Sequence, residues 1–74
     1  VDDSPQISKA LSDLLSASGY SVRTAPSAER ALQILESATF DLIITDLKMT
    51  GMTGIDLAKQ VLQKSPGLPV VIFG

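Results

Sequence analysis

The chain has 74 residues, with six Lys and Arg against eight Asp and Glu, a net charge of −2, and no Cys, His or Trp. This is the length of at most one small domain, and the acidic balance argues against a protein that holds nucleic acid on a basic surface. The lack of Cys excludes disulfides, thiolate nucleophiles and Cys-ligated zinc sites, and the lack of His excludes Ser-His and Cys-His dyads. Any metal ion would therefore be a hard cation bound by oxygen atoms.

The longest apolar runs, Leu42–Ile44 and Val70–Phe73, are far shorter than the roughly 20 residues that span a bilayer. There is also no charged segment followed by the apolar segment of a secretory signal. We therefore expect a cytoplasmic protein that does not enter a membrane.

A first helix is predicted after Ser4, because Ser is a common N-cap and Pro5 suits the first helical position. Its apolar face has helical spacing and consists of Ile7, Ala10, Leu11 and Leu14. Gly19 can adopt the left-handed conformation that ends such a helix. Alternating apolar and polar residues then predict a half-buried strand at Tyr20–Thr24.

Ser27 is a second N-cap candidate, and the helix that it begins has an apolar face with the same spacing. That face consists of Ala28, Ala31, Leu32 and Leu35. Phe40–Asp46 is apolar without alternation, as expected for a strand covered on both faces. Lys48–Gly54 contains two Gly and two Thr and is predicted to be a loop.

Thr53 and Asp56 have the spacing of a capping box and predict the start of a third helix. Its predicted buried face consists of Ile55, Ala58, Val61 and Leu62. Ser65–Gly67 ends this helix, and Val70–Phe73 is a further apolar strand. Alternating helices and strands of these lengths predict an α/β fold, a mostly parallel sheet with helices on both faces.

Acidic residues occur where two predicted strands end. Asp2 and Asp3 precede the first helix, and Asp46 ends the strand before the loop. Loops at the carboxyl ends of parallel strands share one edge of the sheet, so three carboxylates converge if the strands are neighbours. Their mutual repulsion would be relieved by a divalent cation, and Mg²⁺ fits best because it prefers oxygen ligands and bridges carboxylates to phosphate.

A carboxylate beside Mg²⁺ can also act as a nucleophile toward phosphorus and form an acyl phosphate. The cation would shield the charge that develops on the transferred phosphoryl group. The pattern therefore points to phosphoryl chemistry at this edge of the sheet.

The sequence resembles the receiver domains of two-component response regulators over nearly its whole length. An acidic pair lies 43 residues (46 − 3) before a strand-terminal Asp, and Met and Gly follow at fixed offsets. The matching segments are Val1–Ser4, Phe40–Met49, Gly51–Gly54 and Leu68–Ile72. The resemblance implies a flavodoxin-like three-layer fold with strand order 2-1-3-4-5, in which most of strand 1 and all of strand 5 are lacking from residues 1–74.

The resemblance also implies roles for individual residues. Asp46 would be the phosphoacceptor, and Asp2, Asp3 and Asp46 would bind Mg²⁺ together with the backbone carbonyl of Lys48. Met49 and Met52 are expected to pack beside the site, because thioether sulfur is a poor ligand for a hard cation.

The chain departs from the family pattern at three places. Thr50 replaces the usual Pro, which frees one φ angle in the loop. The switch Ser or Thr that grips the phosphoryl group would fall five residues after Pro69, at Gly74. The family's invariable Lys would lie beyond the last residue.

Several other interpretations compete with this one. Taken alone, Asp2 and Asp3 could simply favour a helix N-terminus, and Asp46 could simply form a turn. A haloacid-dehalogenase-type hydrolase fits poorly, because Lys48 stands where its second Asp is required. A dinucleotide-binding domain lacks its Gly-rich fingerprint. A pseudo-receiver that binds proteins without phosphorylation is the main alternative, and Gly74 supports it.

The predicted function is a phosphorylation-controlled switch rather than an enzyme. A sensor histidine kinase would supply the phosphoryl group, Asp46 would accept it, and the changed surface would alter an interaction. A homodimer is a further expectation, and DNA would be contacted only through an output domain outside this chain.

Residues 1–74 are therefore interpreted as a partial receiver domain. Only Val1 remains of the strand that should lie between Tyr20–Thr24 and Leu42–Asp46. We expect these residues not to be a complete folding unit, so that a longer chain or another chain supplies the missing strand.

Overall fold

A computed structural model describes all 74 residues as three helices and two strands. In chain order, they are α1 (Pro5–Ala17), α2 (Ala28–Ser37), β1 (Ile43–Asp46), α3 (Gly54–Lys64) and β2 (Val70–Phe73). The two strands are parallel, with Ile43 opposite Val70 and Asp46 opposite Phe73. None of the helices combines the length and the apolar composition needed to cross a bilayer.

The predicted helix starts are confirmed, although they are capped differently. The Thr53 hydroxyl accepts the amide of Asp56 and the Asp56 carboxylate accepts the amide of Thr53, which completes the capping box of α3. The Ser27 hydroxyl caps α2 by accepting the amide of Arg30. Ser4 precedes Pro5 as predicted, but its side chain forms no capping hydrogen bond.

Gly19 ends α1 as predicted, with a φ of +95°. The Gly19 amide donates to the carbonyl of Ser16 and the Tyr20 amide donates to the carbonyl of Leu15. These two bonds form a Schellman motif, which requires a left-handed residue at this point. The end of the helix is therefore set by local chain geometry.

The core lies between α2, α3 and β1. Its seven buried apolar residues are Ala25, Ala28, Ala31, Ile34, Ile43, Leu57 and Val61. Helix α1 contributes no buried residue, although its apolar face has the same helical spacing. The apolar face of α1 is therefore not packed into the core.

The predicted buried face of α3 is wrong in part. Gly54, Leu57 and Val61 are buried, whereas Ile55 and Leu62 are exposed. A Cβ at Gly54 would overlap the backbone oxygen of Asp46, so this close approach turns the 54-57-61 face inward. The spacing of apolar residues could not reveal it, because the contact depends on the absence of a side chain.

The predicted strand at Tyr20–Thr24 is not formed, since these residues pair with no other strand. Val1 and Asp2 hydrogen-bond on both sides: the Asp2 amide donates to the carbonyl of Ala25 at 3.2 Å, and the Asp46 amide donates to the carbonyl of Val1 at 2.9 Å. Val1 and Asp2 therefore lie between the segment that ends at Ala25 and strand β1. This is the neighbour relation of strands 2, 1 and 3 in the family's order 2-1-3-4-5.

Strand β1 begins at Ile43, three residues later than predicted. Its partner residues in β2 start only at Val70, and the preceding Pro69 has no amide to donate. One face of β1 is buried through Ile43 and Thr45, while Ile44 is only half-buried. Coverage on both faces was therefore predicted wrongly for this strand, and Val71 and Ile72 in β2 are also exposed.

Candidate functional site: an acidic cluster at the carboxyl edge of the sheet

Asp2, Asp3 and Asp46 meet at the carboxyl edge of the sheet. One carboxylate oxygen from each residue lies within 4.8 Å of the others. Asp46 is brought there as the last residue of β1, and Asp2 and Asp3 are brought there because Val1 hydrogen-bonds beside β1. The convergence expected from the sequence is therefore present in the structure.

Asp2 is the most buried member of the cluster, with only 3% of its surface exposed. Its Oδ1 accepts the amide of Ser4 at 2.8 Å, which positions the carboxylate at the start of α1. Its Oδ2 is buried and has no hydrogen-bond partner. A buried, unpaired carboxylate oxygen is costly, and a cation bound at this place would satisfy it.

Asp46 is half-buried and accepts the amide of Lys48 through Oδ1 at 3.4 Å. This bond joins residues two apart, as in an Asx turn, and the chain bends at Leu47 directly after β1. Lys48 lies two residues after Asp46, the phosphoacceptor candidate. Lys48 is exposed, so its ammonium group can remain in solvent.

Asp3 is the exposed member of the cluster, and its Oδ2 accepts the amide of Thr50 at 3.3 Å. A Pro at position 50 has no amide and could not make this bond. The departure noted in the sequence therefore supplies a hydrogen bond between the loop and the acidic cluster.

Gly74 lies directly beside the Asp46 carboxylate. A Cβ at position 74 would be 2.7 Å from Oδ1 of Asp46, and the φ of Gly74 is +123°. A side chain here would therefore require the carboxylate or the backbone to shift. The position identified from the sequence does face the phosphoacceptor candidate, but the carboxylate occupies the space of a side chain.

Sequence reasoning missed Glu29, which lies in the first turn of α2. Its Oε1 accepts the amide of Met52 at 3.0 Å, and this bond is the main reason why the pKa of Glu29 is lowered. Acidic residues are common in the first turn of helices. The residue type and position of Glu29 therefore gave no indication of a contact with a residue 23 positions away.

The arrangement has the elements of a hard-cation site next to a nucleophile. Three carboxylates lie together, one of them holds an unpaired buried oxygen, and the chain has no Cys or His that could offer a thiolate or an imidazole. Oxygen donors of this kind suit Mg²⁺, and a carboxylate of the same cluster can attack phosphorus.

The chain is similar to known proteins in both sequence and structure. Residues 1–74 match the response regulator receiver domain family. The chain is 42% identical over 73 residues to the transcriptional regulatory protein GlrR of Escherichia coli K12 and 39% identical over 73 residues to the DNA-binding transcriptional regulator NtrC of Klebsiella pneumoniae. Each alignment covers 99% of this chain, which spans only 16% of the length of either relative.

The solved structures of two receiver-type proteins superpose closely on the fold. The response regulator TrrA of Thermotoga maritima, solved in complex with Mg²⁺ and BeF, is 32% identical with a TM-score of 0.91. The chemotaxis protein CheY4 of Vibrio cholerae is 37% identical with a TM-score of 0.91. The match covers 96% of this chain and 62% and 61% of theirs, respectively. With its flavodoxin-like α/β architecture, this chain belongs to the receiver domain family of two-component response regulators.

Proposed function

We propose that this chain accepts a phosphoryl group on Asp46, from a sensor histidine kinase and with Mg²⁺, and thereby switches an output or partner interaction. The observation that carries the proposal is the acidic cluster, in which Asp2 holds a buried oxygen without a partner beside Asp3 and Asp46. Because TrrA was solved with Mg²⁺ and BeF, a related receiver is known to hold this cation. Asp2, Asp3, Asp46 and the carbonyl of Lys48 would hold Mg²⁺ here.

The phosphoryl transfer exchanges one bond to phosphorus for another. An oxygen of Asp46 forms a bond to phosphorus, the P–N bond of the donor phosphohistidine breaks, and its electron pair returns to the imidazole, which takes up a proton from solvent. Bound Mg²⁺ would shield the charge on the phosphoryl oxygens. Asp2 and Asp3 hold negative charge at the site, and the loop after Asp46 positions the attacking carboxylate. The chain thus acts as a signalling module rather than as an enzyme with a separate substrate.

Small phosphodonors test this function directly. With acetyl phosphate or phosphoramidate and Mg²⁺, the complete protein should gain one hydroxylamine-sensitive phosphoryl group by mass, and Asp46→Asn should gain none. Asp41→Asn is the matched control, because Asp41 is an exposed acid just before the same strand. Labelling of Asp46→Asn at the wild-type level would rule out Asp46 as the acceptor.

A second variant separates metal binding from folding. Asp3→Ala should weaken Mg²⁺ binding and leave the circular dichroism spectrum unchanged, because Asp3 is exposed and contributes nothing to the core. Unchanged Mg²⁺ affinity in this variant would remove Asp3 from the proposed ligand set.

Gly74 favours a second candidate, a pseudo-receiver that binds a partner without phosphorylation. The residue offers no hydroxyl to a phosphoryl group, and the Asp46 carboxylate occupies the space of a side chain. Loss of a charge-assisted hydrogen bond would cost about 1.5–3 kcal/mol of coupling. If the wild type is not labelled while its partner binding is intact, this candidate replaces the first. If it is labelled but no conformational probe moves, and Gly74→Thr restores the movement, position 74 is the weak point of the switch.

We also propose that residues 1–74 form only part of a receiver domain. A groove of about 510 Å³ lies between α1, the segment at residues 20–24 and β1, where a strand would pair on both sides. The two solved receivers extend well beyond the matched region, since this chain covers 62% and 61% of them. A central strand in this groove would cover the apolar face of α1.

A further inference from the structure

Glu29 makes a contact that the proposed function does not use. The residue is exposed and lies on α2, outside the acidic cluster, yet its Oε1 accepts the amide of Met52 in the loop after β1. A Cβ at Gly51 would lie 3.2 Å from the same oxygen, and Gly51 has a φ of +85°. The loop therefore bends closely around this one carboxylate.

The same loop touches the acidic cluster through two other amides. Lys48 donates to Asp46 at 3.4 Å, and Thr50 donates to Asp3 at 3.3 Å. Both distances are long for hydrogen bonds, whereas the bond from Met52 to Glu29 is 3.0 Å. The shortest of the three bonds thus connects the loop to α2, which belongs to the packed core.

Charge and geometry agree at this contact. The hydrogen bond from Met52 is the main cause that lowers the pKa of Glu29, so the carboxylate stays ionised at neutral pH. An ionised acceptor forms a stronger bond to an amide than a neutral one does. The contact therefore has an ionised acceptor at neutral pH.

We infer that Glu29 is a positioning residue that holds the loop at residues 48–52 over the acidic cluster and so strengthens its binding of a divalent cation. The inference rests on the proposed function, because the cation is the one proposed there. Glu29 would not touch the cation. Without it, the loop must lose more conformational freedom when the cation binds, and the affinity falls.

The test is a titration of the complete protein with Mg²⁺, followed by amide NMR shifts and by calorimetry. Glu29→Ala should weaken Mg²⁺ binding by about three- to tenfold, the effect of losing one moderate hydrogen bond. Glu29→Gln keeps an oxygen that can accept the amide, so it should retain most of the affinity. In Glu29→Ala, the amide of Met52 should also exchange faster with solvent even when no cation is present.

Glu36 provides the matched control. It lies on the same helix, is exposed, and has only a 3.9 Å contact with Lys64. Glu36→Ala and Glu36→Gln remove the same charge and should leave both the Mg²⁺ affinity and the exchange of the Met52 amide unchanged.

The outcomes separate the two proposals. Wild-type protein that does not bind Mg²⁺ would overturn the proposed function and this inference with it. Wild-type binding together with unchanged affinity in Glu29→Ala would overturn the inference alone. The inference would also be overturned if Glu29→Ala and Glu29→Gln weakened Mg²⁺ binding equally, or if the Glu36 variants weakened it as much. Either result would show that the lost negative charge, and not the position of the loop, changes the affinity.

Discussion

Residues 25–74, the packed region, and residues 1–24, the open region, contain helices with the same kinds of local capping signal but differ in how far those helices are buried. In the packed region, α2 and α3 bury apolar residues against β1, and the whole apolar core lies there. In the open region, α1 begins at a Pro and ends in a Schellman motif, yet none of its residues is fully buried. The difference shows that caps and apolar spacing are enough to specify a helix. Burial of its apolar face requires another part of the fold to pack against that face.

The acidic cluster lies on the boundary between the two regions. Asp2 and Asp3 belong to the open region, and Asp46 belongs to the packed region. The hydrogen bonds of Val1 to β1 bring the three carboxylates together, whereas the bond from Thr50 ties the exposed Asp3 to the loop. The site therefore depends on how firmly Val1 holds the open region against β1, and each experiment below changes one side of this comparison.

Hydrogen exchange should show the largest difference between the two regions. If residues 1–74 are only part of a receiver domain, as proposed above, the four or five ladder pairings that a central strand would add, at about 1–3 kcal/mol each, are comparable to a whole domain's stability of about 5–15 kcal/mol. We expect the amides of residues 20–24 to exchange rapidly in the 74-residue chain, without a cooperative melt, and slowly in the complete protein. A monomeric 74-residue chain that melts cooperatively with slow exchange at residues 20–24 would require a different strand order.

A large side-chain truncation in the packed region comes next. Leu57 is fully buried, so Leu57→Ala should lower the free energy of unfolding of the complete protein by about 2–5 kcal/mol. Leu62 lies on the same helix but is 65% exposed, and Leu62→Ala should change it by no more than about 0.5 kcal/mol. Urea unfolding measures both, and equal effects would mean that α3 is rotated from the orientation described above.

Thr50→Pro changes the contact between the loop after β1 and Asp3. The Pro removes the amide that competes with a cation for Oδ2 of Asp3, so Mg²⁺ binding should tighten by about two- to fivefold, the range expected for a weak hydrogen bond. Calorimetric titration gives the affinity. Weaker binding in the variant would show instead that the Thr50 amide holds Asp3 in the geometry that the cation needs.

The pH dependence of Glu29 should give the smallest effect. Its folded-state pKa is lowered by the bond from Met52, so the stabilisation that it provides is present above its unfolded pKa, near 4.5, and is lost as the pH falls through the lower folded value. Thermal melts of the wild type and Glu29→Gln should therefore converge as the pH falls from 7 toward 3. A constant difference across this range would show that ionisation of Glu29 does not contribute.

The sequence determined the parts of this protein that depend on neighbouring residues. The starts of α1, α2 and α3 followed from Pro5, from Ser27 and from the capping box at Thr53, and the end of α1 followed from the left-handed Gly19, because capping is local chemistry. The convergence of Asp2, Asp3 and Asp46 was also predictable, because carboxyl ends of parallel strands share an edge.

Tertiary structure decided what depends on contact between distant residues. The inward face of α3 was set by the approach of Gly54 to Asp46, and the loop contact of Glu29 joins positions 23 residues apart. Tyr20–Thr24 has the pattern of a strand but remains unpaired, since a strand exists only when a second backbone accepts and donates its hydrogen bonds. A local residue pattern indicates which secondary structure a segment can form. A strand forms only where the rest of the fold supplies its hydrogen-bonding partner.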